Sequence, residues 1–271
     1  MSGRARRWFR IGLRAVVHAL CLPVPPSAPR VLLWHSLDRT GGPISLAPEL
    51  FQRQVAWLAR RGYRAWSAGR YAEALAAREP LPARLVVLTF DDGYANTVRE
   101  GGPALRAHGL SATVFLVTGQ MGRKPGWMAA SRRDVSGRLL TWDEARNAAG
   151  GEFAFESHTH AHAALPGLAA AEIREELARS GQELAERGLG RGRVVAWPYG
   201  AYEPRLAPLA REQGYAAGFI DEFRWSHRDN RDLFGLNRVA VDPDLGVFGI
   251  AFAMGKGIEV WSWMRERLGR R

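Results

Sequence analysis

The stretch L-V-V-L-T-F-D-D-G, residues 85–93, decides the fold. Its first six residues are apolar or β-branched and predict a strand buried in the centre of a sheet. Similar short apolar runs recur along the chain and alternate with segments of helical periodicity. Strands that alternate with helices predict a parallel sheet, either a barrel or an open sheet, and a chain of 271 residues suits one domain.

Unusual polar groups follow four of the predicted strands. In both kinds of parallel sheet, functional side chains collect at the C-terminal edge of the strands. The segments at this place are W-H-S (34–36), T-F-D-D-G (89–93), E-S-H-T-H-A-H (156–162) and W-P-Y-G (197–200). These four segments are therefore the candidates for the chemistry of the protein.

Three of the seven histidines lie within five positions of the third segment. His158 and His162 are four residues apart, so one helical turn would aim both imidazoles in the same direction. That spacing suits two nitrogens on one divalent metal. His160 would face elsewhere, towards solvent or behind the ligands. A solvated polar loop is the alternative for the histidine pair taken alone.

Two adjacent carboxylates, Asp91 and Asp92, come directly after the central strand. Their charge is costly there unless something compensates it, and a dication does so. Neighbouring residues that leave a strand point in different directions, so one carboxylate can bind metal while the other works as a base. Gly93 permits a tight turn after them. An Asp-Asp-Gly surface turn is the alternative.

Taken together, T-F-D-D-G, S-H-T-x-x-H and P-Y-G resemble the motifs of the polysaccharide deacetylase family, the carbohydrate esterases with a NodB-type domain. The resemblance runs from about residue 31 to residue 241 and includes V-L-L-W-H-S and F-Q-R-Q-V-A-W-L-A-R-R-G-Y. It implies a distorted (β/α) barrel with about seven strands that hydrolyses an N-acetyl group of an N-acetylhexosamine. It further implies that Asp91 is the catalytic base. Asp92, His158 and His162 would hold a divalent metal, usually Zn²⁺, with Co²⁺ or Ni²⁺ as substitutes.

The chain departs from the usual family pattern at two places. Ala196 stands where the third motif has an arginine, and the late L-x-H histidine is absent. Both departures are shared with the branch that contains poly-N-acetylglucosamine deacetylases, in which the histidine ending the first strand takes the place of the general acid. By this resemblance His35 is the candidate acid, and the backbone N–H of Tyr199 lies near the oxyanion. Arg238 on the last strand is the candidate to orient the base.

Several of these residues also have an alternative interpretation without a catalytic role. His35 would otherwise be a structural histidine that anchors the first strand, and Arg238 a surface or core-capping arginine. His227, in a polar stretch, is a weaker candidate for the acid. Glu156 stands where the family usually has a small residue, and the sequence assigns it no role.

Two other functions stay open at this point. One is a metal-dependent amidase that acts on a non-sugar substrate, and the other is an inactive glycan-binding homologue.

The formal net charge of +11 comes almost entirely from arginine. Nucleic-acid binding is not expected, because the sequence contains no recognition helix or aromatic stacking platform. The single cysteine, Cys21, excludes an internal disulfide and a thiolate metal site.

The two ends of the chain are basic and amphipathic. We expect an N-terminal segment with a proline-rich linker at 1–29, the deacetylase domain at 30–245 and a C-terminal tail at 246–271. In the two terminal segments, arginines and apolar residues fall on opposite helical faces. This pattern predicts helices that lie in a membrane interface or helices that are docked on the domain. Without a convincing signal peptide, we expect a cytoplasmic location, peripheral at the inner face of an anionic membrane. The substrate would then be an N-acetylated glycan or a lipid-linked sugar.

Overall fold

A computed structural model describes residues 29–127, 137–190, 192–227 and 229–268. Within these ranges the strands are β1 (Arg30–Trp34), β2 (Ser36–Leu37), β3 (Ser45–Leu46), β4 (Arg64–Trp66), β5 (Leu85–Phe90), β6 (Ala112–Leu116), β7 (Phe153–Ser157), β8 (Val194–Ala196), β9 (Ala217–Phe219) and β10 (Val239–Ala240). The helices are α1 (Pro48–Arg60), α2 (Ala68–Ala76), α3 (Ala95–Ala107), α4 (Trp142–Ala148), α5 (Ala170–Glu186), α6 (Leu206–Glu212), α7 (Gly246–Met254) and α8 (Gly257–Leu268).

The main sheet is parallel and follows the order β10-β1-β5-β6-β7-β8-β9. One edge of β5 pairs with β1. The other edge of β5 pairs with β4 along the first half of the strand and with β6 along the second half. The two ends of this order meet, because Phe219 of β9 bridges to Leu236 just before β10. The N–H of Ile220 also donates to the carbonyl of Leu236 at 3.0 Å. The curled sheet confirms the predicted distorted (β/α) barrel.

The central strand β5 is buried on both faces. Val86, Leu88 and Phe90 point outward and pack against the helices, where they meet Phe51 and Val55 of α1. The alternate side chains point into the barrel, as the period of two in a strand requires. This double burial explains the apolar run that precedes the aspartates.

The C-terminal residues 246–268 pack on the barrel as α7 and α8. Glu259 of α8 forms a buried ion pair with Arg30 of β1 at 2.7 Å. The hydroxyl of Ser262 donates to the carbonyl of Phe223 at 2.8 Å. Of the two alternatives for the C-terminal tail, a membrane interface or docking on the domain, residues 246–268 therefore follow the second.

Two predicted segments fall largely outside the part of the chain that the structure describes. One is the N-terminal helix and linker, of which residues 1–28 are not described. The other is the stretch 123–138, whose polar sequence predicts a surface loop and of which residues 128–136 are not described. Among the described helices, none combines the length and the apolar character needed to cross a bilayer.

Candidate active site

The aspartate pair leaves the C-terminal edge of β5 through a left-handed turn. The N–H of Asp91 still donates to the carbonyl of Trp34 at 3.0 Å, so this residue stays tied to β1. Asp92 and Gly93 have φ angles of +71° and +81°. A side chain at Gly93 would collide with Leu116, since its Cβ would lie 2.7 Å from Cδ2 of that leucine. The turn sends the two carboxylates in different directions, as expected from their adjacency.

Asp92 meets two imidazoles at the C-terminal edge of the barrel. Its Oδ1 lies 3.5 Å from Nε2 of His158 and 3.3 Å from Nε2 of His162. One ligand atom from each of the three buried residues lies within 4.8 Å of the others. Burial alone would raise the pKa of Asp92, but the two imidazoles and the nearby His35 more than offset it and hold this pKa well below its usual range. The structure thus brings the three expected metal ligands together.

The expectation that the two histidines share a helical turn is wrong. Residues 158–162 form an irregular loop in which Thr159 and His162 have φ angles of +64° and +61°. The N–H of His162 donates to Oγ1 of Thr159 at 3.2 Å, and the N–H groups of His160 and Ala161 donate to the carboxylate of Glu176 at 3.1 and 2.8 Å. Side-chain oxygens therefore replace helical hydrogen bonds, and the left-handed residues bring the rings together.

The two imidazoles are held in different ways. Nδ1 of His158 lies 2.8 Å from the carbonyl of Ala196 on β8, which leaves Nε2 for a ligand. Nδ1 of His162 is buried and has no hydrogen-bond partner in the ranges that the structure describes. Instead the ring of Trp127 stacks on His162 with centroids 4.2 Å apart and planes at 15°. The ring of Tyr199 meets the same imidazole edge-on at 4.7 Å.

Trp127 is a site residue that sequence reasoning missed. It belongs to the stretch that the polarity of residues 123–138 predicts as a surface loop, and its separation from His162 along the chain gives no periodic signal. His160 lies outside the cluster, as expected. Its Nδ1 is 3.3 Å from Oγ1 of Thr118 and 3.4 Å from the carboxylate of Glu183.

Arg238 lies directly against Asp91. Its two terminal nitrogens donate to the two oxygens of this carboxylate, each at 2.6 Å, and its Nε donates to the carbonyl of Ile220 at 2.7 Å. Both side chains are buried. Burial would raise the pKa of Asp91, but Arg238 and then His158 outweigh it and lower this pKa. An arginine immediately before β10 therefore stands beside Asp91, while the motif position Ala196 carries none.

The Asp91 pair and the Asp92 cluster adjoin each other. Oδ2 of Asp91 lies 3.9 Å from Nε2 of His158, which also faces Asp92. An ionised carboxylate held by a guanidinium thus lies next to three groups that can bind a dication. This arrangement suits the activation of water beside a metal.

His35 and Tyr199 lie at the edges of the cluster. His35 is half-buried at the end of β1 and lines a cleft of about 660 Å³ together with Gly42, Ile44 and Asp242. The ring of Tyr199 is 56% exposed at the rim. Tyr199 and the following Gly200 both have a φ of +60°. A Cβ added at Gly200 would lie 1.9 Å from Oδ1 of Asp221. The P-Y-G sequence is thus explained by a tight turn against Asp221.

Two other groups from the sequence lie apart from the cluster. Glu156 of β7 accepts a hydrogen bond from the N–H of Val194 at 3.3 Å, and burial raises its pKa to about 7. Nδ1 of His227 lies 3.0 Å from the carbonyl of Gly235, which holds this imidazole in its own loop.

Comparison with known proteins decides the family. The family model described as polysaccharide deacetylase matches residues 78–218, or 141 of the 271 residues. The chain belongs to the polysaccharide deacetylase family. The matched range contains both aspartates, both cluster histidines and the P-Y-G turn. The resemblance seen in the sequence is therefore confirmed.

Individual relatives agree with this assignment. YxkH of Bacillus subtilis (strain 168), which is named after the same family, is 26% identical over 227 residues, covering 84% of this chain and 75% of that protein. A poly-beta-1,6-N-acetyl-D-glucosamine N-deacetylase of Escherichia coli (strain K12) is 33% identical over 88 residues, which are 31% of this chain and 13% of that enzyme. The solved structure of IcaB from Ammonifex degensii superimposes with a TM-score of 0.70 at 25% identity, covering 85% of this chain and 98% of that one.

Proposed function

We propose that the protein is a metal-dependent N-deacetylase that releases acetate from N-acetylhexosamine units of a glycan or glycan precursor. The observation that carries this proposal is the contact between two groups: the Arg238-held carboxylate of Asp91 and the cluster of Asp92, His158 and His162. The first group suits proton transfer and the second suits a cation.

The three cluster residues fit a zinc ion. Two imidazole nitrogens and one carboxylate oxygen are a common ligand set of catalytic zinc, and three protein ligands leave room for water and substrate. Asp92 lies fully enclosed between two imidazoles, where a buried negative charge calls for a dication. When bound, the ion supplies Lewis acidity towards an acetyl carbonyl and a water molecule. Co²⁺ and Ni²⁺ accept the same donor atoms.

Asp91 serves as the base in this proposal. Its lowered pKa keeps it ionised at neutral pH, so it can accept the proton of the attacking water. Arg238 holds both carboxylate oxygens and fixes their direction. The amide nitrogen is protonated as the C–N bond breaks, and the proton taken up by Asp91 replaces the one donated in that step. Water and amide are converted into acetate and a protonated amine.

His35 and Tyr199 complete the proposed machinery. His35 lines the cleft beside the cluster and is the candidate that protonates the leaving amine. The backbone N–H of Tyr199 is the candidate donor to the oxyanion. The cleft of about 660 Å³ that His35 lines lies in the range usual for small-ligand sites.

The substrate class rests on the relatives. The E. coli relative is named for poly-β-1,6-N-acetyl-D-glucosamine, and the part it shares with this chain is a segment of 88 residues. Acetate release from N-acetylated oligosaccharides, lipid-linked sugars and small non-sugar amides, each with and without chelator, tests the proposal. We expect chelator-sensitive release from the sugars alone. Release from the non-sugar amides instead would assign a different amidase.

Two substitutions separate the roles of the aspartates. Asp92→Ala should lose metal and acetate release together, because it removes a ligand. Asp91→Asn should keep the metal, measured by elemental analysis, while turnover falls by roughly 10²–10⁴, the usual contribution of a general base. Near-normal turnover of the Asp91→Asn protein would show that the base is another group. A metal-loaded protein that turns over no substrate in the panel would be a binding homologue.

A further inference from the structure

A basic and aromatic surface lies around the end of α1. Arg60 and Arg61 are exposed at the C-terminus of this helix. Arg64, the first residue of β4, and Arg84, just before β5, are also exposed. The chain brings these residues together, because the N–H of Arg64 donates to the carbonyl of Arg84 at 2.8 Å. The Arg84 guanidinium also donates to the carbonyl of Arg61. We call these four arginines, with Trp57 and Tyr63, the basic end patch.

The aromatic members of the patch support its arginines. The guanidinium of Arg61 lies over the ring of Trp57, 3.9 Å from its centroid. The rings of Trp57 and Tyr63 stack with centroids 6.4 Å apart, and both are half-buried. Arginine combined with half-buried aromatic rings is the composition that favours the boundary between headgroups and acyl chains.

The arginines of the patch differ from most others in the protein. Many arginines elsewhere form ion pairs, such as Arg99 with Glu100 and Arg179 with Glu175. None of the four patch arginines forms an ion pair with an acidic side chain of the described ranges. A helix C-terminus attracts one or two cations, but four together repel one another unless an anion lies near. Their concentration therefore points to an anionic partner.

The N-terminal segment joins the domain at the same end of the barrel. Arg30, the first residue of β1, pairs with Val86 of β5, and Arg64 of β4 pairs with Leu85. Residue 29 therefore enters level with Leu85, one residue after Arg84, at the N-terminal edge of the strands. The preceding 28 residues include five arginines and no acidic residue. The proposed catalytic groups lie at the opposite edge, after the strands end.

We propose that the basic end patch docks the protein on an anionic phospholipid surface. A basic residue near such a surface strengthens binding roughly fivefold, the equivalent of about 1 kcal/mol, and this attraction weakens as salt rises. Trp57 and Tyr63 supply the apolar contact that charge alone lacks. Docked in this way, the barrel presents its C-terminal edge and the candidate active site away from the lipid.

Vesicle binding by the full chain tests the proposal. The probes are phosphatidylglycerol-containing vesicles and neutral phosphatidylcholine vesicles, and the measurement is co-sedimentation at low salt. The variant R61Q/R64Q should lose roughly 10- to 30-fold in partitioning to the anionic vesicles. The control R99Q/R179Q removes the same charge from ion-paired, exposed positions on α3 and α5 and should bind like the parent. Both variants should release acetate from a soluble substrate at the parental rate.

Each contrary outcome overturns the proposal. Equal binding to neutral and anionic vesicles would remove the electrostatic basis. Equal losses in R61Q/R64Q and R99Q/R179Q would show an effect of net charge and not of this patch. A deletion of residues 1–22 that abolishes binding while R61Q/R64Q binds normally would assign the membrane contact to the N-terminal segment alone. None of these results bears on acetate release, so the proposed catalytic function is tested separately.

Discussion

At the scale of single residues, adjacency and distance in the sequence have different predictive value. The strand pattern predicts that the two carboxylates after β5 point in different directions, because neighbouring side chains of a pleated strand alternate in direction. The contact of Arg238 with Asp91 has no such local cause. It joins residues 147 positions apart and forms only when β10 packs against β1 in the closed barrel. The family pattern implies an arginine that orients the base, but spacing alone does not identify Arg238 as that residue.

Trp127 provides a residue-scale prediction about zinc affinity. The imidazole of His162 has no hydrogen-bond partner for Nδ1 in the described residues, so its orientation depends on the Trp127 and Tyr199 rings. Trp127→Ala should therefore weaken Zn²⁺ binding by about 10- to 100-fold, the usual effect of removing a group that orients a ligand. Trp127→Phe, which keeps a stacking ring, should lose much less. The measurement is competition with a chelating dye.

A control distinguishes this effect from general loss of an aromatic side chain. Trp263 is 40% exposed on α8 and remote from the cluster, so Trp263→Ala should bind Zn²⁺ like the parent. If Trp127→Ala also bound Zn²⁺ with parental affinity, the stacked ring would have no part in orienting His162.

At the scale of secondary-structure elements, strands and helices with strong local signals are predictable. The T-x-x-E pattern of residues 141–144 predicts a capping box, and Thr141 and Glu144 form it reciprocally at the start of α4. The histidine loop is not predictable from spacing, because its shape depends on Glu176, which reaches it from α5. A spacing of four predicted the convergence of His158 and His162 for the wrong reason. Two left-handed residues, and not a helical turn, bring them together.

The C-terminal helices show a similar limit. Their basic, amphipathic pattern fits both a membrane interface and a docked position, and the pattern alone cannot decide between them. The buried ion pair of Glu259 with Arg30 decides for the docked position of α8. A charged pair of this kind connects residues 229 positions apart. It therefore leaves no periodic trace in the sequence.

Glu156 of β7 provides an element-scale prediction about pH and stability. Burial raises its pKa from 4.5 to about 7. The folded state therefore binds this proton more tightly than the unfolded state, and the stabilisation present below pH 4.5 is lost as the pH rises to 7. The loss is at most about 3 kcal/mol, at 1.36 kcal/mol per pKa unit. Glu156→Gln should remove it, so the variant should gain stability relative to the parent between pH 5 and pH 8.

Urea unfolding at pH 5 and at pH 8 measures this difference. Glutamine keeps a carbonyl oxygen that can accept the hydrogen bond from Val194, so the comparison isolates the titration. Glu175→Gln changes an exposed glutamate on α5 and should leave the pH dependence of the parent intact. The same pH dependence in the Glu156→Gln protein and the parent would mean that Glu156 is ionised in the folded state at pH 5.

At the scale of the whole molecule, the barrel separates two kinds of charge. Buried carboxylates and imidazoles gather at the C-terminal edge of the strands, where the field favours a cation. The four exposed arginines of the basic end patch lie at the N-terminal edge, where the field favours an anion. The parallel sheet creates this division, because every strand begins at one end and finishes at the other. One topology thus accounts for both the family's chemistry and the proposed docking surface.

Metal binding should couple the catalytic edge to the stability of the whole fold. The three ligands come from the turn after β5 and from the loop after β7, and they converge only in the folded barrel, so Zn²⁺ binds the folded state preferentially. At a free Zn²⁺ concentration 100 times its Kd, the fold gains about 2.7 kcal/mol, which corresponds to a rise in Tm of roughly 5–10 °C in thermal unfolding. Asp92→Ala should abolish this rise, whereas His108→Ala, which removes an exposed histidine at the end of α3, should retain it. An equal rise in the Asp92→Ala protein would place the metal somewhere other than this cluster, because a ligand would have been lost without consequence.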